Sequence, residues 1–146
     1  MLLTDRAALR ARLASARRIA VLGAHPDTAR PAFYVPDYLS RQGYTIFPVN
    51  PAAVGQELWG QPVRASLEDL PGPVDIIDVF RRSDALPGHV AELLASAAPG
   101  TLIWFQQGIR NDAVATLLCE AGLDVVQDRC TLADHKAWSI GPVGAP

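Results

Sequence analysis

Residues 19–49 read IAVLGAHPDTARPAFYVPDYLSRQGYTIFPV. This stretch begins and ends with short apolar runs, 19–22 and 45–49, and each run predicts a strand that is buried on both faces. Between them, residues 31–42 place aromatic and aliphatic side chains at helical spacing, and Gly43 ends that pattern. A strand, a helix and a second strand in this order predict a parallel unit with a right-handed crossover.

The same alternation continues along the rest of the chain. Three further apolar runs predict strands: 74–80, 101–105 and 123–126. Helical patterns lie between the strands or before the first one: 4–16, 66–70, 83–97 and 111–121. Strands that alternate with helices predict one α/β domain with a doubly wound, Rossmann-like, five-stranded parallel sheet and an extra N-terminal helix. We assign this single domain to residues 1–146, with its core at about 17–135.

The composition sets limits on the class of protein. The chain has 146 residues, 49% of them hydrophobic, and a net charge of −2, so no global field favours nucleic acid or an anionic membrane. The longest apolar run is about five residues, far shorter than a membrane span. Two separated cysteines suit a reducing compartment, and we expect a cytoplasmic protein. The arginine-rich residues 1–18 have two interpretations, a solvated helix or a mitochondrial transit peptide.

The expected ligand site follows from the topology. In open parallel sheets, ligands bind beyond the carboxyl ends of the strands, where the strand order reverses. The loops that follow the five predicted strands are 23–30, 50–60, 81–83, 106–110 and 127–130. These loops contain several arginines, which predict an edge that binds anions: Arg30, Arg81, Arg82 and Arg110.

The dinucleotide fingerprint is mostly missing from this edge. The first loop has only Gly23 where the G-x-G-x-x-G motif has three glycines. The second strand is followed by Asn50 and Pro51, where an NAD-binding protein carries an acidic residue for the ribose. An NAD(P)-binding oxidoreductase or redox sensor on the same fold is therefore the alternative hypothesis. An interaction protein with a vestigial pocket is the third.

Four short motifs at the strand ends occur together. They are Arg30-Pro31 after the first loop, V-N-P at 49–51, D-V-F-R-R at 78–82 and Q-x-G-I at 106–109. In this combination the chain resembles the single-domain CoA-binding proteins, which are similar to the N-terminal domain of the succinyl-CoA synthetase alpha subunit. The resemblance covers about residues 19–135.

The resemblance implies that coenzyme A or an acyl-CoA is bound across the strand ends. It places the following residues around the diphosphate: Gly23, Ala24, His25, Arg30, Pro31 and Ala32. It places Asn50 and Pro51 near the adenosine, and it places Phe80, Arg81 and Arg82 beside the adenine and phosphates. The pantetheine side is assigned to Gln106, Gln107 and Gly108. His25 departs from relatives, which often have a small polar residue there, and Leu132 replaces a lysine.

The resemblance also implies binding without catalysis. In the synthetase, the phosphorylated histidine and the nucleotide-grasping region lie outside the shared domain. The chain has no zinc-ligand spacing, no nucleophile elbow and no Walker A sequence. The expected partners are CoA or acyl-CoA, without nucleic acid or membrane, and a homo-oligomer or a partner enzyme is left open.

The reactive side chains have competing interpretations. Cys130 follows the last predicted strand, and its neighbour Arg129 could lower the pKa of the thiol and make it react with CoA. The alternative is an inert, half-buried thiol. Asp134 and His135 only superficially resemble a catalytic histidine and the carboxylate that orients it, because neighbouring residues point in different directions. A structural role is therefore expected for His135. His89 is assigned to the surface or to packing, without a ligand role.

Overall fold

A computed structural model describes residues 1–144, and residues 145 and 146 of the predicted domain lie outside the described part. The strands in chain order are β1 (Arg18–Leu22), β2 (Thr45–Val49), β3 (Glu57–Leu58), β4 (Gln61–Pro62), β5 (Ile76–Val79), β6 (Leu102–Phe105) and β7 (Asp124–Val126). Five of them form one parallel sheet in the order β2-β1-β5-β6-β7, whereas β3 and β4 form a separate antiparallel hairpin. The predicted Rossmann-like, five-stranded sheet is confirmed.

The α-helices are α1 (Arg6–Ser15), α2 (Pro31–Arg41), α3 (Val90–Ser96), α4 (Asp112–Glu120) and α5 (Thr131–Ala137). The extra N-terminal helix is α1, whose cap is Asp5: its carboxylate accepts from the Ala8 amide. Asn111 caps α4 in the same way, by accepting from the amide of Val114. Short polar caps therefore begin both helices close to where the sequence predicts them.

The predicted helix at 83–97 is wrong in its first half. Residues Ser83–His89 form a 3-10 helix, and only Val90–Ser96 is α-helical. Pro87 accounts for the difference, because it lacks the amide N–H of a regular helix and Gly88 then adds backbone freedom. The predicted helix at 66–70 is a 3-10 turn, Leu67–Asp69, capped by the Ser66 hydroxyl. Helix α5 was not predicted.

Helices cover both faces of the sheet. On one face, α3 and α4 pack through Leu93, Val114 and Leu118 against the strand residues that point to that side. On the other face, α1, α2 and α5 pack through side chains that include Leu9, Leu39 and Trp138. Because both faces are buried, the strands are mostly apolar and show no regular alternation with polar residues, and even Asp78 in β5 is buried.

The strand order creates a crevice. From β1 the chain passes through α2 to β2 at one edge, and it then returns to β5 on the other side of β1. The carboxyl ends of β1 and β5 are therefore the point where the direction of winding reverses, which is where such sheets bind ligands. Within residues 1–144, no helix combines the length and apolarity that crossing a membrane requires.

Candidate ligand site at the carboxyl edge of the sheet

A cavity of about 680 Å³ lies at this edge of the sheet. Its walls are the N-terminal end of α2, the segments that follow β5 and β6, and the residue before α5. It is lined by Arg30, Pro31, Ala32, Tyr34, Val35, Phe80, Arg81, Arg82, Ser83, Gln106, Gln107, Gly108, Ile109 and Cys130. A volume of this size is typical of small-molecule sites.

The N-terminal end of α2 opens onto the cavity. Arg30 occupies the cap position without a side-chain hydrogen bond to the helix, and Pro31 fills the first helical position. The amide dipoles of the first turn favour a negative charge there. The Arg30 guanidinium is exposed, and its only ion pair within residues 1–144, with Asp27, is 3.7 Å long, so it is available to an anion.

Pro36 ties the first loop to α2. It lies in the second turn of the helix, where it has no N–H to donate to the carbonyl of Ala32. That carbonyl accepts instead from the amide of His25, at 3.3 Å. The imidazole of His25 in turn accepts from the amide of Asp27 through Nδ1, at 3.0 Å. Because Pro36 cannot donate, the carbonyl of Ala32 is left without its helical partner and holds the loop after β1 by accepting from His25.

Gly23 brings the ends of β1 and β5 into contact. Its φ is +91°, a conformation that side chains disfavour. A Cβ at this position would lie 2.8 Å from the carbonyl oxygen of Phe80 and 3.1 Å from Cδ of Arg81. The glycine therefore allows the Arg81 stem to pass directly over the end of β1.

The arginines at the edge differ in how they are held. Arg81 donates from Nε to Nε2 of His89, at 3.2 Å. Arg82 is exposed, and its Nε lies 3.5 Å from the carboxylate of Asp84. Arg110, which the sequence placed at the same edge, pairs with Asp112 and does not line this cavity.

A buried carboxylate lies beneath the cavity. Asp78 on β5 accepts from Nε2 of Gln106 at 2.8 and 3.0 Å, and from the hydroxyl of Thr131 at 3.0 Å. Burial raises the pKa of Asp78 from 3.8 to about 7, although both hydrogen bonds oppose the rise. Sequence reasoning missed this group, because the run 74–80 contains two acidic residues, Asp75 and Asp78, and the sequence alone does not show which of them is buried.

Cys130 lines the cavity, but Arg129 does not activate it. Both oxygens of Asp134 accept from the guanidinium of Arg129, at 2.7 and 2.8 Å. Burial raises the pKa of the Cys130 thiol, and the backbone amides of Leu132 and Ala133 only oppose that rise. Of the two interpretations of Cys130, the one in which Arg129 lowers the pKa of the thiol is therefore wrong, because the charge of Arg129 is directed at Asp134.

The structure separates the predicted site residues into two groups. The following line the cavity: Arg30, Pro31, Ala32, Phe80, Arg81, Arg82, Gln106, Gln107 and Gly108. The following do not: Gly23, Ala24, His25, Asn50 and Pro51. Asn50 connects two loops, since its Nδ2 donates to the carbonyl of Ala24 at 2.8 Å and its Oδ1 accepts from the amide of Ala52 at 2.9 Å.

Four lining residues were not among those assigned to the ligand, although Ser83 and Ile109 lie in loops that the topology placed at this edge. Tyr34, Val35, Ser83 and Ile109 all contribute to the cavity wall. The aromatic residues at the start of α2 were assigned only to a helix, and Tyr34, which lines the cavity, is 46% exposed. Ser83 was placed in the loop 81–83 at this edge, without an assigned contact to the ligand. Its hydroxyl accepts from the amide of Arg110, which joins the segments that follow β5 and β6.

His135 has the structural role that its sequence position indicated. Its Nδ1 lies 2.7 Å from the hydroxyl of Tyr38, and its Nε2 lies 2.9 Å from the carbonyl of Gly141. Burial lowers the pKa of His135, which favours the neutral ring. Within residues 1–144, no group of three or more His, Cys, Asp or Glu side chains is arranged to hold a metal ion.

Comparison with known proteins identifies the family to which the chain belongs. Residues 17–136 match the CoA binding domain family, and the chain belongs to that family. It is 38% identical over 123 residues to the protein YneT of Bacillus subtilis (strain 168), covering 84% of this chain and 88% of that protein.

Solved structures show the same architecture. The cell-free ID.343 protein from Thermus thermophilus is 51% identical, with a TM-score of 0.87 over 92% of this chain and 98% of that one. A hypothetical protein from Pyrococcus horikoshii OT3 is 28% identical, with a TM-score of 0.83 over 92% of both chains. A glucose dehydrogenase from Haloferax mediterranei, at 11% identity and a TM-score of 0.52, covers 94% of this chain and 46% of its own and shares the fold alone.

Proposed function

We propose that this chain binds coenzyme A or an acyl-CoA in the cavity at the carboxyl edge of the sheet, without catalysis of its own. The observation that carries the proposal is the convergence of Arg30, Arg81 and Arg82 with the N-terminal end of α2 on one cavity. Guanidinium groups and helix N-termini are the groups with which proteins bind phosphates. Membership of the CoA binding domain family supports this choice of ligand.

The cavity also offers surroundings for a less charged portion of the ligand. Val35, Phe80 and Ile109 supply apolar wall, and Gln106 and Gly108 lie on the side of β6. We assign the phosphates to the α2 and arginine side and the pantetheine to the Gln106 side, which contains Cys130. In this assignment the thiol end of CoA approaches the thiol of Cys130.

The residues of the cavity support binding better than catalysis. Covalent catalysis needs a nucleophile that is activated by a base within hydrogen-bond reach. Burial raises the pKa of Cys130, so the thiol form is favoured. The hydroxyl of Ser83 already accepts from the Arg110 amide, and both ring nitrogens of His135 have partners elsewhere. Uniform binding of substrate and transition state by such a site gives no rate gain.

A cytoplasmic location remains part of the proposal and is supported by the two free cysteines, Cys119 and Cys130. A second copy of the chain or a partner enzyme that receives the bound CoA would complete the function. The cavity is open enough to be reached from such a partner, because Arg30, Arg81 and Arg82 are all exposed at its rim.

The test is calorimetric titration with CoA of the wild type and two arginine variants. Charge-assisted hydrogen bonds to phosphate contribute about 1.5–3 kcal/mol each, so Arg30→Ala should weaken CoA binding at least several-fold. Arg41→Ala is the matched control, because Arg41 lies at the opposite end of the same helix and pairs with Asp37. Equal losses in both variants would contradict the assignment of the phosphates to the N-terminal end of α2.

A further inference from the structure

A chain of hydrogen bonds runs from the cavity into α3. Nε of Arg81 donates to Nε2 of His89 at 3.2 Å, and Nδ1 of His89 lies 2.5 Å from Oε1 of Glu92. The other carboxylate oxygen of Glu92 accepts from the hydroxyl of Ser66 at 3.1 Å and from the amide of Leu67 at 3.2 Å. The series therefore begins at a guanidinium on the cavity wall and ends at the 3-10 turn Leu67–Asp69.

The chemistry of Arg81 and Glu92 determines the direction of both hydrogen bonds of the His89 ring. A guanidinium can only donate, so Nε2 of His89 must be the acceptor. An ionised carboxylate can only accept, so Nδ1 of His89 carries the ring proton and donates it to Glu92. One neutral tautomer satisfies both neighbours. The other tautomer, or a protonated ring, would place an N–H of His89 against the Nε–H of Arg81.

Arg81 is also held by its stem. Its Cδ lies next to Gly23, where an added Cβ would approach it to 3.1 Å. The bond to His89 uses Nε, and within residues 1–144 the two terminal nitrogens of Arg81 have no protein partner. The guanidinium therefore keeps both terminal nitrogens for a ligand. His89 is half-buried, with 21% of its side chain exposed, and does not itself line the cavity.

The other two arginines of the cavity have weaker supports. Arg30 and Arg82 each face an exposed carboxylate, with the nearest N–O distances at 3.7 and 3.5 Å. Both partners of each of these pairs are exposed, and such pairs order a side chain only weakly. The guanidinium of Arg81 is also exposed, but its acceptor is the half-buried His89, which Glu92 holds in place. A guanidinium that is already ordered loses less conformational entropy when a ligand binds. Among the three, Arg81 is therefore the group best prepared to receive a phosphate.

We propose that His89 is a positioning residue for phosphate recognition. It holds the guanidinium of Arg81 toward the cavity, and Glu92 fixes the ring tautomer that allows it to do so. The inference rests on the proposed function in one respect, because the phosphates are taken to be those of CoA. It extends that function to a residue outside the cavity wall, which the sequence pattern assigned to the surface or to packing.

The binding test compares a variant that removes the acceptor with one that retains it. His89→Leu should weaken CoA binding by about three- to tenfold, the effect of one lost hydrogen bond. His89→Gln should restore most of the affinity, because its side-chain oxygen can accept from Arg81. His89→Leu should leave the binding of pantetheine unchanged, because that fragment of CoA has no phosphate. In an Arg81→Ala background the same substitution should have no further effect on CoA binding.

Glu68→Gln is the control. It removes an exposed carboxylate from the turn that holds Glu92, and it leaves the hydrogen bonds from Arg81 through His89 to Glu92 unchanged. Thermal unfolding confirms that each variant is folded. If His89→Leu binds CoA as tightly as the wild type, or loses pantetheine to the same degree, the positioning role is overturned.

A second measurement decides the inference even if the wild type does not bind CoA. Nitrogen-15 spectra of the His89 ring should show the proton on Nδ1, and the Nε–H signal of Arg81 should be protected from exchange. His89→Leu should abolish that protection. A ring proton on Nε2, or the same exchange rate in wild type and variant, would overturn the positioning role. Failure of CoA to bind would instead overturn the proposed function.

Discussion

The side-chain amide of Gln106 donates to both carboxylate oxygens of Asp78, at 2.8 and 3.0 Å. Gln106 lines the cavity, whereas Asp78 is fully buried in β5, so the amide connects the wall of the site to the centre of the sheet. The hydroxyl of Thr131 donates to the same carboxylate and links it to the start of α5. The stability of this part of the sheet should therefore depend on the charge of Asp78.

Burial raises the pKa of Asp78 from 3.8 to about 7, which predicts a stability that falls as the pH rises. The folded state holds the proton of Asp78 more tightly than the unfolded chain does. The resulting stabilisation is therefore complete below the pKa of Asp78 in the unfolded chain, and it is lost as the pH rises through the pKa in the folded state. Across that window, wild type should lose about 1.4 kcal/mol per pH unit relative to Asp78→Asn, which cannot ionise.

Urea unfolding of both proteins at several pH values between 4 and 8 measures this difference. Asp69→Asn serves as the control, since Asp69 is exposed on a surface turn. The difference between wild type and Asp78→Asn should be constant above about pH 7. Parallel pH profiles for the two proteins would show that the buried carboxylate is not titrating in this window.

Gly23→Ala should destabilise the protein and weaken CoA binding together. The new Cβ would lie 2.8 Å from the carbonyl oxygen of Phe80, and relief of that contact would shift the end of β5 and Arg81. Positive φ alone costs a non-glycine residue on the order of 1–3 kcal/mol. Gly55→Ala isolates the contact, because Gly55 has φ +98° but no atom within 4 Å of the added Cβ.

Thermal unfolding and CoA titration of the two glycine variants provide the comparison. Gly55→Ala should be less stable than wild type but should bind CoA normally. Gly23→Ala should be less stable still and should bind CoA more weakly. Equal stability of the two variants would mean that the close approach at Gly23 has no energetic cost.

Cys130 should form a mixed disulfide with CoA when CoA disulfide is added. Its thiolate attacks one sulfur of CoA disulfide, a new disulfide forms between Cys130 and one CoA, and the other CoA leaves as a thiolate. Because burial raises the pKa of Cys130, the reaction should be slow at neutral pH and faster at higher pH. Intact-mass analysis detects the adduct. An adduct that disappears with Cys119→Ser and persists with Cys130→Ser would exclude this arrangement.

Acyl-CoA should not be hydrolysed above background. His135 is the histidine nearest to Cys130 in the sequence, but both of its ring nitrogens are engaged, with Tyr38 and with Gly141. An assay of free thiol released from acetyl-CoA or succinyl-CoA tests this expectation. Turnover that is lost in both Cys130→Ala and His135→Ala would make the protein a thioesterase-like enzyme.

Much of the fold could be predicted because it depends on local patterns. Five buried strands produce five apolar runs, and Asn111 and Gly122 mark the ends of α4. The hairpin of β3 and β4 was missed because each strand has only two residues. Helix α5 was missed because its sequence, TLADHKA, is short and buries the polar residues Thr131, Asp134 and His135. Polar burial of this kind depends on tertiary partners and leaves no apolar pattern.

The site was partly predictable because the topology follows from the order of strands and helices. Topology places the strand ends together, so the segments after β5 and β6 were assigned to one site. The role of His89 was missed because its bond to Arg81 spans a 3-10 segment that the sequence pattern presented as a regular helix. The interpretation that Arg129 activates the thiol of Cys130 was wrong. Adjacent positions in the sequence do not show where a guanidinium points, and that of Arg129 pairs with Asp134.

We expect the cavity to recognise CoA in preference to a dinucleotide. Calorimetric titration of the wild-type protein with CoA, NADH and ATP under one set of conditions measures this preference. Asn50, where a dinucleotide-binding protein carries an acid, has both ends of its amide engaged with the protein. We expect CoA to bind with a dissociation constant in the micromolar range or below and more tightly than NADH or ATP. Equal or tighter binding of NADH would contradict the assignment and favour an NAD(P)-linked oxidoreductase or redox sensor.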